Sequence, residues 1–442
     1  MAPRRRPSPA ARLRDERLPQ TLAHAVAHAP HYRRTLGRAW RQVRGTEDLP
    51  RLPFLTKDEA ITHQRALLTV GRAAFVGVVS SGTHAREGRL LRVPRTGAEA
   101  DALEALEAQT YGAAPPLGGW VLEVRNVHHG LFEGARAERL VAPWTYTSQA
   151  LRLLEELLSR PQGDGRRVKS MVLGAGAVTA FTAWLLSRDV DPSRFGLSVI
   201  GTNSFRLSPH WKARVTAAFD ALVLDNYSLS EVPTPALECT ACGFNHWLLP
   251  PVAFEVVDPL DRTPLSGGVG VLVVTTLFPF VQAMPLIRYW TGDLVELGPF
   301  CDEARDVGFR FRGRLGQSLV ARGHGVLVAA QDVMDVVESS PLTARHPHPM
   351  ETLGLVPGGE CGAGKVELSL TRGRGGLSPR VRVELRFDPR LFPEEAEAFG
   401  QALASRLLAS APALRRLERR REGELEVALC APGTLKKAWV KF

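Results

Sequence analysis

Two things are scarce in this sequence of 442 residues: cysteine, with five residues, and long apolar runs. An odd and scattered set of cysteines does not make a disulfide framework, and indicates reduced thiols or a metal site instead. No stretch reaches the roughly 18 uncharged apolar residues of a membrane-spanning helix, so we expect no membrane partner. Segment 1–17 is rich in Arg and Pro and lacks the apolar stretch of a secretory signal. We therefore expect a cytoplasmic protein.

The sequence also lacks a recognised nucleic-acid-binding module, although its formal net charge is +10. Such a charge attracts polyanions, including nucleic acid, ATP and CoA. The positive charge is almost all arginine and is spread along the whole chain. We therefore expect no specific nucleic-acid partner.

Strand and helix patterns alternate over the first half of the chain. This βαβ alternation predicts an α/β fold in which parallel sheets are covered by helices. From about residue 235 the sequence pattern becomes typical of β-strands, with Pro and Gly turns. Beyond about Arg314, strand and helix patterns alternate again. We therefore predict a large N-terminal domain over 1–313, with a β-rich subdomain at 235–313, and a small α+β domain over 314–442.

A polar loop follows the apolar run ending at Val79, and contains Ser80, Ser81, Gly82 and Thr83. Backbone N–H groups and hydroxyls in such a loop can bind phosphate oxygens. A plain Ser-Gly turn has the same appearance, so this stretch alone does not decide between the two.

A second polar stretch follows the predicted strand at 221–224. Asp225 lies where a parallel strand opens onto the ligand crevice of such sheets. Glu231 can bind Mg²⁺, and Tyr227 offers a flat face for a base. A polar surface loop is the alternative.

A third stretch runs from Pro285 to Asp293. The Asp293 carboxylate can accept both ribose hydroxyls of a nucleotide. Arg288 can pair with phosphate, or structurally with an acidic side chain. An ordinary Thr-Gly-Asp hairpin turn is the alternative.

The fourth stretch combines Arg314 with two flexible glycines, Gly313 and Gly316, at the predicted domain joint. Glycines at such a place suit a hinge, and Arg314 can reach a ribose or a phosphate. The segment GAGAVTAF at Gly174 lacks the third glycine of a dinucleotide loop, so we predict a strand-to-helix turn there.

Four scattered residues can form a metal site. Cys239 and Cys242 have C-x-x-C spacing, His246 follows, and Cys301 lies beyond the next strands. Three cysteines and one histidine make an acceptable tetrahedral Zn²⁺ set. Ordinary turn thiols with a core histidine are the alternative.

Taken in order, the four polar stretches resemble the signature motifs of the adenylate-forming superfamily. Further segments are similar to the phenylacetate–CoA ligase-like branch, over about His31 to Arg322: PHYRR, LPFLTKDE, HHGLFEGA, ECTACGFNHW, FEVVDP, VVTTL and PLIRYWTGD. The C-terminal unit matches mainly through PGTLKKA. Related ligases sometimes carry a structural zinc at the place of the four Cys and His residues.

This resemblance implies a role for each motif residue. ATP would be bound by Ser80, Ser81, Gly82 and Thr83 along the phosphates, by Asp225, Tyr227 and Ser230 near the base and phosphate, and by Asp293 and Arg314 at the ribose. The catalytic set would be Lys437, Glu231 and Arg288, where Glu231 helps to bind Mg²⁺ and Lys437 bridges carboxylate and α-phosphate. Lys436 is an alternative for the lysine, because the register there is loose. The acyl pocket would include His129, Phe132 and Gly201.

The sequence departs from the family pattern in the phosphate loop. The family continues with Thr-Gly-Lys after SSGT, whereas this chain has His84, Ala85 and Arg86. Ala85 lacks the backbone freedom of glycine, and Arg86 differs from lysine in geometry.

The resemblance implies ATP-dependent adenylation of an aryl or acyl carboxylic acid, followed by transfer to CoA or a carrier thiol. The implied cofactors are ATP, Mg²⁺, CoA or a carrier thiol, and Zn²⁺. The implied partners are the small-molecule acid, an acyl-carrier protein and a second copy in a homodimer. Two alternatives stay open: transfer to an amine or a protein, and a degenerate homologue that binds nucleotide or a protein partner without turnover.

Overall fold

The computed structural model describes residues 8–70, 76–79, 90–111, 118–126, 138–247, 249, 251–373 and 376–435. Its N-terminal part is helical: α1 is Pro9–His28, α2 Pro30–Thr35, α3 Lys57–Thr62 and α4 Gln64–Leu67. The helical pattern of the sequence predicts a break at Pro30, and this is confirmed, since α2 begins at that residue. The capping box predicted for α3 is also present: Thr56 N–H donates to Glu59 Oε2 at 2.8 Å, and Glu59 N–H donates to Thr56 Oγ1 at 3.3 Å.

A two-stranded antiparallel ribbon and a helix follow these helices. Strand β1 is Val76–Val79, β2 is Arg92–Arg95, and α5 is Gly97–Tyr111. Residues 80–89, which include the predicted phosphate loop, lie between the two strands and outside the described residues.

A five-stranded parallel sheet forms the next layer, as the βαβ alternation predicts. Its strands are β3 Trp120–Asn126, β4 Arg139–Trp144, β5 Val168–Gly174, β6 Val199–Asn203 and β7 Leu222–Asp225, in the order β4-β3-β5-β6-β7. The connecting helices are α6 Ser148–Ser159, α7 Ala175–Leu186 and α8 Pro209–Phe219. The segment at Gly174 is the predicted strand-to-helix turn, because β5 ends there and α7 begins at the next residue.

A six-stranded antiparallel sheet occupies the predicted β-rich region. Its strands are β8 Leu237–Glu238, β9 Asn245–His246, β10 Val252–Val257, β11 Gly268–Thr276, β12 Tyr289–Cys301 and β13 Asp306–Arg314, in the order β10-β11-β12-β13-β9-β8. One hydrophobic core joins this sheet to the N-terminal helices, and includes Leu22, Tyr32, Leu272 and Tyr289.

The remainder is α+β. Its strands are β14 Leu319–Ala321, β15 Gly325–Val328, β16 Val366–Gly373, β17 Gly376–Glu384 and β18 Glu426–Cys430. Its helices are α9 Ala330–Val337, α10 Pro349–Thr352, α11 Pro393–Ser410 and α12 Pro412–Arg419. One core of this region is built entirely from residues 319–429 and packs α9, α11 and α12 against the β16-β17-β18 sheet.

One local prediction is wrong. The apolar segment 351–357 has the pattern of a strand, but it forms the end of α10 and the turn after it. Pro349 occupies the first turn of α10. The His348 side chain accepts from Met350 N–H at 3.2 Å, and the Glu351 carboxylate accepts from His348 N–H at 2.9 Å. These caps stabilise a helical turn and outweigh the strand propensity of the residues that follow.

The segment around α10 also packs outside its own unit. Met350, Val356 and Cys361 belong to the core beneath the parallel sheet, and the Cys361 thiol donates to the carbonyl oxygen of Thr179 at 3.7 Å.

Among the described residues, no helix is both long and apolar enough to span a bilayer.

Candidate active site

Asp293 lies at the centre of a buried polar cluster. Its Oδ2 accepts a hydrogen bond from the Tyr227 hydroxyl at 2.7 Å, and its Oδ1 lies 2.8 Å from Nε of Arg314. Burial raises the pKa of Asp293, while the Arg314 charge acts in the opposite direction. For Arg314, burial alone would lower the pKa, but Asp293 together with Tyr227, Glu231 and Tyr289 outweighs burial, and the pKa is raised. The two residues therefore form a tight, partly desolvated ion pair.

Glu231 is the second carboxylate of the cluster and is 4% exposed. Its Oε1 accepts from the Tyr289 hydroxyl at 3.0 Å and lies 3.2 Å from Nζ of Lys57. Within the described residues, Oε2 makes no hydrogen bond. One carboxylate oxygen is thus held in place while the other can bind a ligand.

The fold brings these groups together at the junction of the two large sheets. Tyr227 and Glu231 follow β7 of the parallel sheet, and Tyr227 forms a two-way backbone bridge with Ala236 at 2.9 and 2.8 Å. Asp293 and Arg314 come from the antiparallel sheet, where they are register partners on β12 and β13.

Lys57 reaches the cluster because the segment before α3 pairs with the start of β12. Leu55 N–H donates to the carbonyl oxygen of Arg288 at 3.0 Å, and Trp290 N–H donates to that of Leu55 at 2.9 Å. This bridge places the first turn of α3 beside Tyr289 and Glu231.

Asp225 lies at the carboxyl end of β7. Its carboxylate accepts from Thr202 Oγ1 at 3.0 Å and lies 3.9 Å from Nε of Arg206. Burial raises the pKa of Asp225 to about 7, although Arg206 and the Thr202 hydrogen bond oppose the shift. Asp225 therefore titrates near neutral pH.

Arg288 is 2% exposed and lies in a structural pair. Its Nε and Nη2 each lie 3.0 Å from a carboxylate oxygen of Glu255, and Nη1 donates to the carbonyl oxygens of Leu52 at 2.5 Å and Pro50 at 3.3 Å. This geometry matches the structural alternative, pairing with an acidic side chain. The catalytic role stays a prediction.

A second cluster combines three thiols and an imidazole at the other end of the antiparallel sheet. The ligand atoms of Cys239, Cys242, His246 and Cys301 all lie within 4.8 Å of one another. Cys239 Sγ lies 3.8 Å from Cys301 Sγ, and Cys242 Sγ lies 3.2 Å from His246 Nε2. Tetrahedral Zn²⁺, with Zn–S of about 2.3 Å and Zn–N of about 2.0 Å, places its ligand atoms roughly 3.5 to 3.8 Å apart. The donor set and its spacing therefore fit a zinc ion.

Contacts with neighbouring residues hold the turn that carries Cys239 and Cys242. Gly243 N–H donates to Cys239 O at 2.7 Å, and the Arg310 guanidinium lies 4.3 Å from the centre of the Phe244 ring. Gly308 lies against His246, because a β-carbon added to it would come within 2.6 Å of Nε2.

Comparison with protein-family models gave no match. Among curated proteins, the phenylacetate–coenzyme A ligase of Escherichia coli is 30% identical over 342 residues, which cover 71% of this chain and 73% of that protein. The chain belongs to the phenylacetate–coenzyme A ligase family. The family member of Thermus thermophilus is 31% identical over 309 residues, 64% of this chain, and the match spans only 65% of that relative.

The solved structures show the same fold for this member of the phenylacetate–coenzyme A ligase family. An open conformation of 2-hydroxyisobutyryl-CoA ligase, in complex with 2-HIB-AMP and CoA, matches with a TM-score of 0.69 at 19% identity. The match covers 100% of this chain and 92% of that one. The predicted α/β adenylate-forming fold is thereby confirmed.

The ligase motif residues fall into two groups. The cluster brings together Tyr227, Glu231, Asp293 and Arg314, with Ser230 half-buried in the turn before Glu231 and Asp225 at the end of β7. The predicted Gly201 lies on β6, where a β-carbon would come within 3.0 Å of Asn226 Nδ2. The other predicted residues lie outside the described residues: Ser80, Ser81, Gly82, Thr83, His129, Phe132, Lys436 and Lys437.

Sequence reasoning missed two members of the cluster, Lys57 and Tyr289. Both lie inside segments that carry the ligase resemblance, LPFLTKDE and PLIRYWTGD, but neither residue type stands out there. Their partner Glu231 is distant in the sequence, and only the bridge between Leu55 and Tyr289 brings the three together.

Proposed function

We propose that this chain activates a carboxylic acid by adenylation with ATP and then transfers the acyl group to CoA. The observation that carries the proposal is the convergence of two carboxylates and their cations from separate sheets, in a member of the phenylacetate–coenzyme A ligase family. Such a cluster suits a nucleotide triphosphate, whose ribose and phosphates need acceptors and cations at fixed positions.

In this proposal Asp293 binds the ribose hydroxyls, and the charge of Arg314 opposes the burial that raises the pKa of Asp293. Tyr227 presents its ring to the adenine. Its ring is supported on the other sides by Phe309 and Trp247, whose ring centres lie 5.1 and 6.2 Å away. Ser230 contacts phosphate, and Asp225 lies at the base-facing edge of β7.

Glu231 is the residue that would hold Mg²⁺, through Oε2, which accepts no hydrogen bond from the described residues. Mg²⁺ is commonly bound by one or two carboxylates together with phosphate oxygens, and it offsets the charge of the phosphates when it is present. Lys57 and Tyr289 both contact Oε1 and so orient the Glu231 carboxylate, which is their own contribution to the site.

The adenylation step joins a carboxylate oxygen to the α-phosphorus, and the bond from that phosphorus to the bridging oxygen of pyrophosphate breaks. Two anions approach each other in this step, so a cation beside them lowers the barrier. We assign this role to Lys437, with Lys436 as the alternative. The preceding residue Leu435 is anchored, because its N–H donates to Glu384 Oε2 at 2.7 Å.

We further propose that residues 314–442 form a mobile unit that hinges near Arg314. The hydrophobic core built from residues 319–429 supports a separate unit, and Gly313 at its edge has a φ of 122°, which favours glycine. Rotation of this unit would move the lysine away from the site and open a path for the thiol in the second step.

The proposal also names an acyl acceptor and a class of carboxylic acid. CoA is the first candidate, since the curated relatives are named coenzyme A ligases. A carrier-protein thiol is the second candidate. An aryl acid such as phenylacetate is the starting substrate for the acid panel, and a homodimer is the expected assembly.

The test is incubation with ATP, Mg²⁺, CoA and a panel of aryl and short acyl acids, with AMP and the thioester detected by mass spectrometry. The proposal predicts equal amounts of AMP and acyl-CoA with at least one acid. AMP formation without thioester, and an acyl group found on protein or amine, would support the other acceptors.

One observation favours a second candidate, a homologue that binds nucleotide without turnover. The phosphate loop has His84, Ala85 and Arg86 where the family has Thr-Gly-Lys. ATP binding by calorimetry, together with no AMP for any acid, would establish this second candidate.

We also propose a structural Zn²⁺ held by Cys239, Cys242, His246 and Cys301. Closed Cys/His sites of four ligands stabilise folds and leave no position for substrate. Metal analysis of the purified protein should give about one zinc per chain, and Cys239→Ser should lower that content. An absence of zinc in wild-type protein purified without chelator would contradict the assignment.

A further inference from the structure

Arg95 lies beside the candidate active site with an unsatisfied guanidinium. It ends strand β2, and its Nη2 donates to the backbone carbonyl oxygen of Glu231 at 2.8 Å. Its Nη1 is buried and has no hydrogen-bond partner among the residues the structure describes.

Among the described residues, neither of the carboxylates nearest to Arg95 makes a hydrogen bond to its guanidinium. Glu99 is 1% exposed and accepts from the backbone N–H groups of Thr96 at 2.8 Å, of Ala283 at 2.7 Å and of Gln282. The Glu231 carboxylate is bound by Lys57 and Tyr289. Burial lowers the pKa of Arg95, and the charges of Glu99 and Glu231 only partly offset that effect.

A desolvated cation without a paired acid destabilises a folded protein unless an anion completes it. The cluster has three cations, Lys57, Arg95 and Arg314, and three carboxylates, Glu99, Glu231 and Asp293, but among the described residues no oxygen accepts a hydrogen bond from Arg95 Nη1. An anionic group of a ligand is the kind of partner that would complete such a guanidinium.

We infer that Arg95 binds the pyrophosphate portion of ATP, an inference that rests on the proposed function. The planar fork of a guanidinium matches two oxygens of a phosphate group. Arg95 adjoins Glu231, the residue assigned to the phosphate-bound Mg²⁺, and lies on β2, the strand that follows the predicted phosphate loop in the sequence. Because that loop lacks the family's lysine, Arg95 supplies a cation that the loop no longer offers in the usual form.

The test compares Arg95→Met with the matched control Arg92→Met, since Arg92 is exposed on the same strand. Dissociation constants are measured for Mg·ATP, Mg·pyrophosphate and AMP. A charge-assisted hydrogen bond contributes about 1.5 to 3 kcal/mol, so Arg95→Met should weaken ATP and pyrophosphate binding by about 10- to 100-fold. AMP binding should change less than about threefold, and Arg92→Met should behave as wild type.

Other outcomes would overturn the assignment. Equal weakening of AMP and ATP would show a general defect of the site, and unchanged ATP and pyrophosphate binding would show that Arg95 contacts neither. A rise confined to the KM of the carboxylic acid would assign Arg95 to the acid instead.

Two further measurements keep the result interpretable. Arg95→Lys retains the charge and should recover part of the pyrophosphate affinity, whereas a packing defect would not be rescued by that change. If wild-type protein binds pyrophosphate in an Arg95-dependent way but forms no AMP with any acid, the proposed function fails while the assignment of Arg95 stands.

Discussion

Two tyrosine hydroxyls orient the two carboxylates of the candidate active site. Tyr227 donates to Asp293 at 2.7 Å and Tyr289 donates to Glu231 at 3.0 Å. Burial raises the pKa of each tyrosine well above its ordinary value, so both remain donors throughout the physiological range. A neutral donor fixes a carboxylate without cancelling its charge, and this leaves the charge available to a ligand.

Replacement of Tyr289 by Phe should remove one hydrogen bond and little else. The hydrogen bond that orients Glu231 contributes about 1 kcal/mol, so its loss predicts a roughly fivefold lower rate of acid-dependent ATP–pyrophosphate exchange. Tyr146→Phe is the control, because Tyr146 is 40% exposed and lies outside the cluster. A Tyr289→Phe enzyme with the wild-type rate would show that the orientation of Glu231 is set by Lys57 alone.

Asp225 gives the protein a pH-dependent stability of predictable sign. Its pKa is raised by burial to about 7 in the folded protein and is about 3.9 when unfolded, so the folded state holds the proton more tightly. The free energy of unfolding of the wild type therefore contains a contribution that falls as pH rises from about 4 to 7.

Asp225→Asn should remove that pH dependence, because asparagine does not ionise. Relative to wild type, the variant should gain stability between pH 4.5 and pH 8, by at most about 4 kcal/mol. Urea unfolding at both pH values measures the difference, and Asp220→Asn, at an exposed helix end, serves as the control. A difference that is constant with pH would show that Asp225 is ionised throughout.

At the scale of the elements, the four proposed zinc ligands come from the β8–β9 turn, from β9 and from the end of β12. The strand positions Gly298 and Gly308 have no side chain where the turn folds over the sheet, and β-carbons there would meet Phe244 and His246 at 2.6 Å. The proposed zinc site therefore depends on the close approach of the Gly298 and Gly308 backbone to the side chains of Phe244 and His246.

Gly308→Ala should displace the His246 ring and lower the zinc content without removing any ligand. The control is Gly267→Ala, where an added β-carbon meets nothing within 4 Å. Zinc per chain, measured by elemental analysis, should fall in the first variant only. Full zinc content in Gly308→Ala would mean that His246 is not a ligand.

The β16–β17 pair carries a buried ion pair that anchors the segment leading to Lys437. Glu384 is 1% exposed, lies 2.7 Å from Nζ of Lys365 and accepts from Leu435 N–H at 2.7 Å. Breaking a buried pair on one side leaves an uncompensated charge.

Glu384→Gln should lower the free energy of unfolding by about 3 kcal/mol. Glu367→Gln breaks an exposed pair with Arg382 on the same two strands, and should cost less than about 1 kcal/mol. Chemical denaturation of the two variants gives the comparison, and equal losses would contradict an anchoring role for Glu384.

The sequence was most informative where chemistry and element ends coincide. Asp225 and Tyr227 could be placed at a strand end because parallel strands open onto ligands, and Asp293 could be assigned because its motif resembles a known one. Lys57 could not be predicted, since its role depends on a backbone bridge between Leu55 and Tyr289. The strand predicted at 351–357 failed because helix caps at His348 and Pro349 act more strongly than the apolar pattern.

At the scale of the whole molecule, two ion pairs join α9 to the larger part of the chain. Arg206 lies 3.1 Å from Asp335, and Arg312 lies 2.6 Å from Asp332. Arg206 also faces Asp225 at 3.9 Å, so the edge of the parallel sheet is linked directly to the proposed mobile unit. Rotation of that unit would have to exchange these pairs for others.

Lys437→Ala should separate the two half-reactions of the proposed cycle. Loss of the cation beside the α-phosphate predicts a fall in adenylation of at least about 100-fold. Thioester formation from a supplied acyl-adenylate should persist, because the lysine is not needed in that step. Adenylation that survives in this variant would transfer the role to Lys436 or to another cation.

The most direct test of the central claim is acid-dependent ATP–pyrophosphate exchange by the wild type and by Asp293→Asn. The account predicts exchange with at least one aryl or acyl acid in the wild type, and a loss of about 100-fold or more in the variant, because the buried carboxylate facing Tyr227 and Arg314 is neutralised. Exchange at the wild-type rate in Asp293→Asn would contradict the account, since the nucleotide would then bind elsewhere.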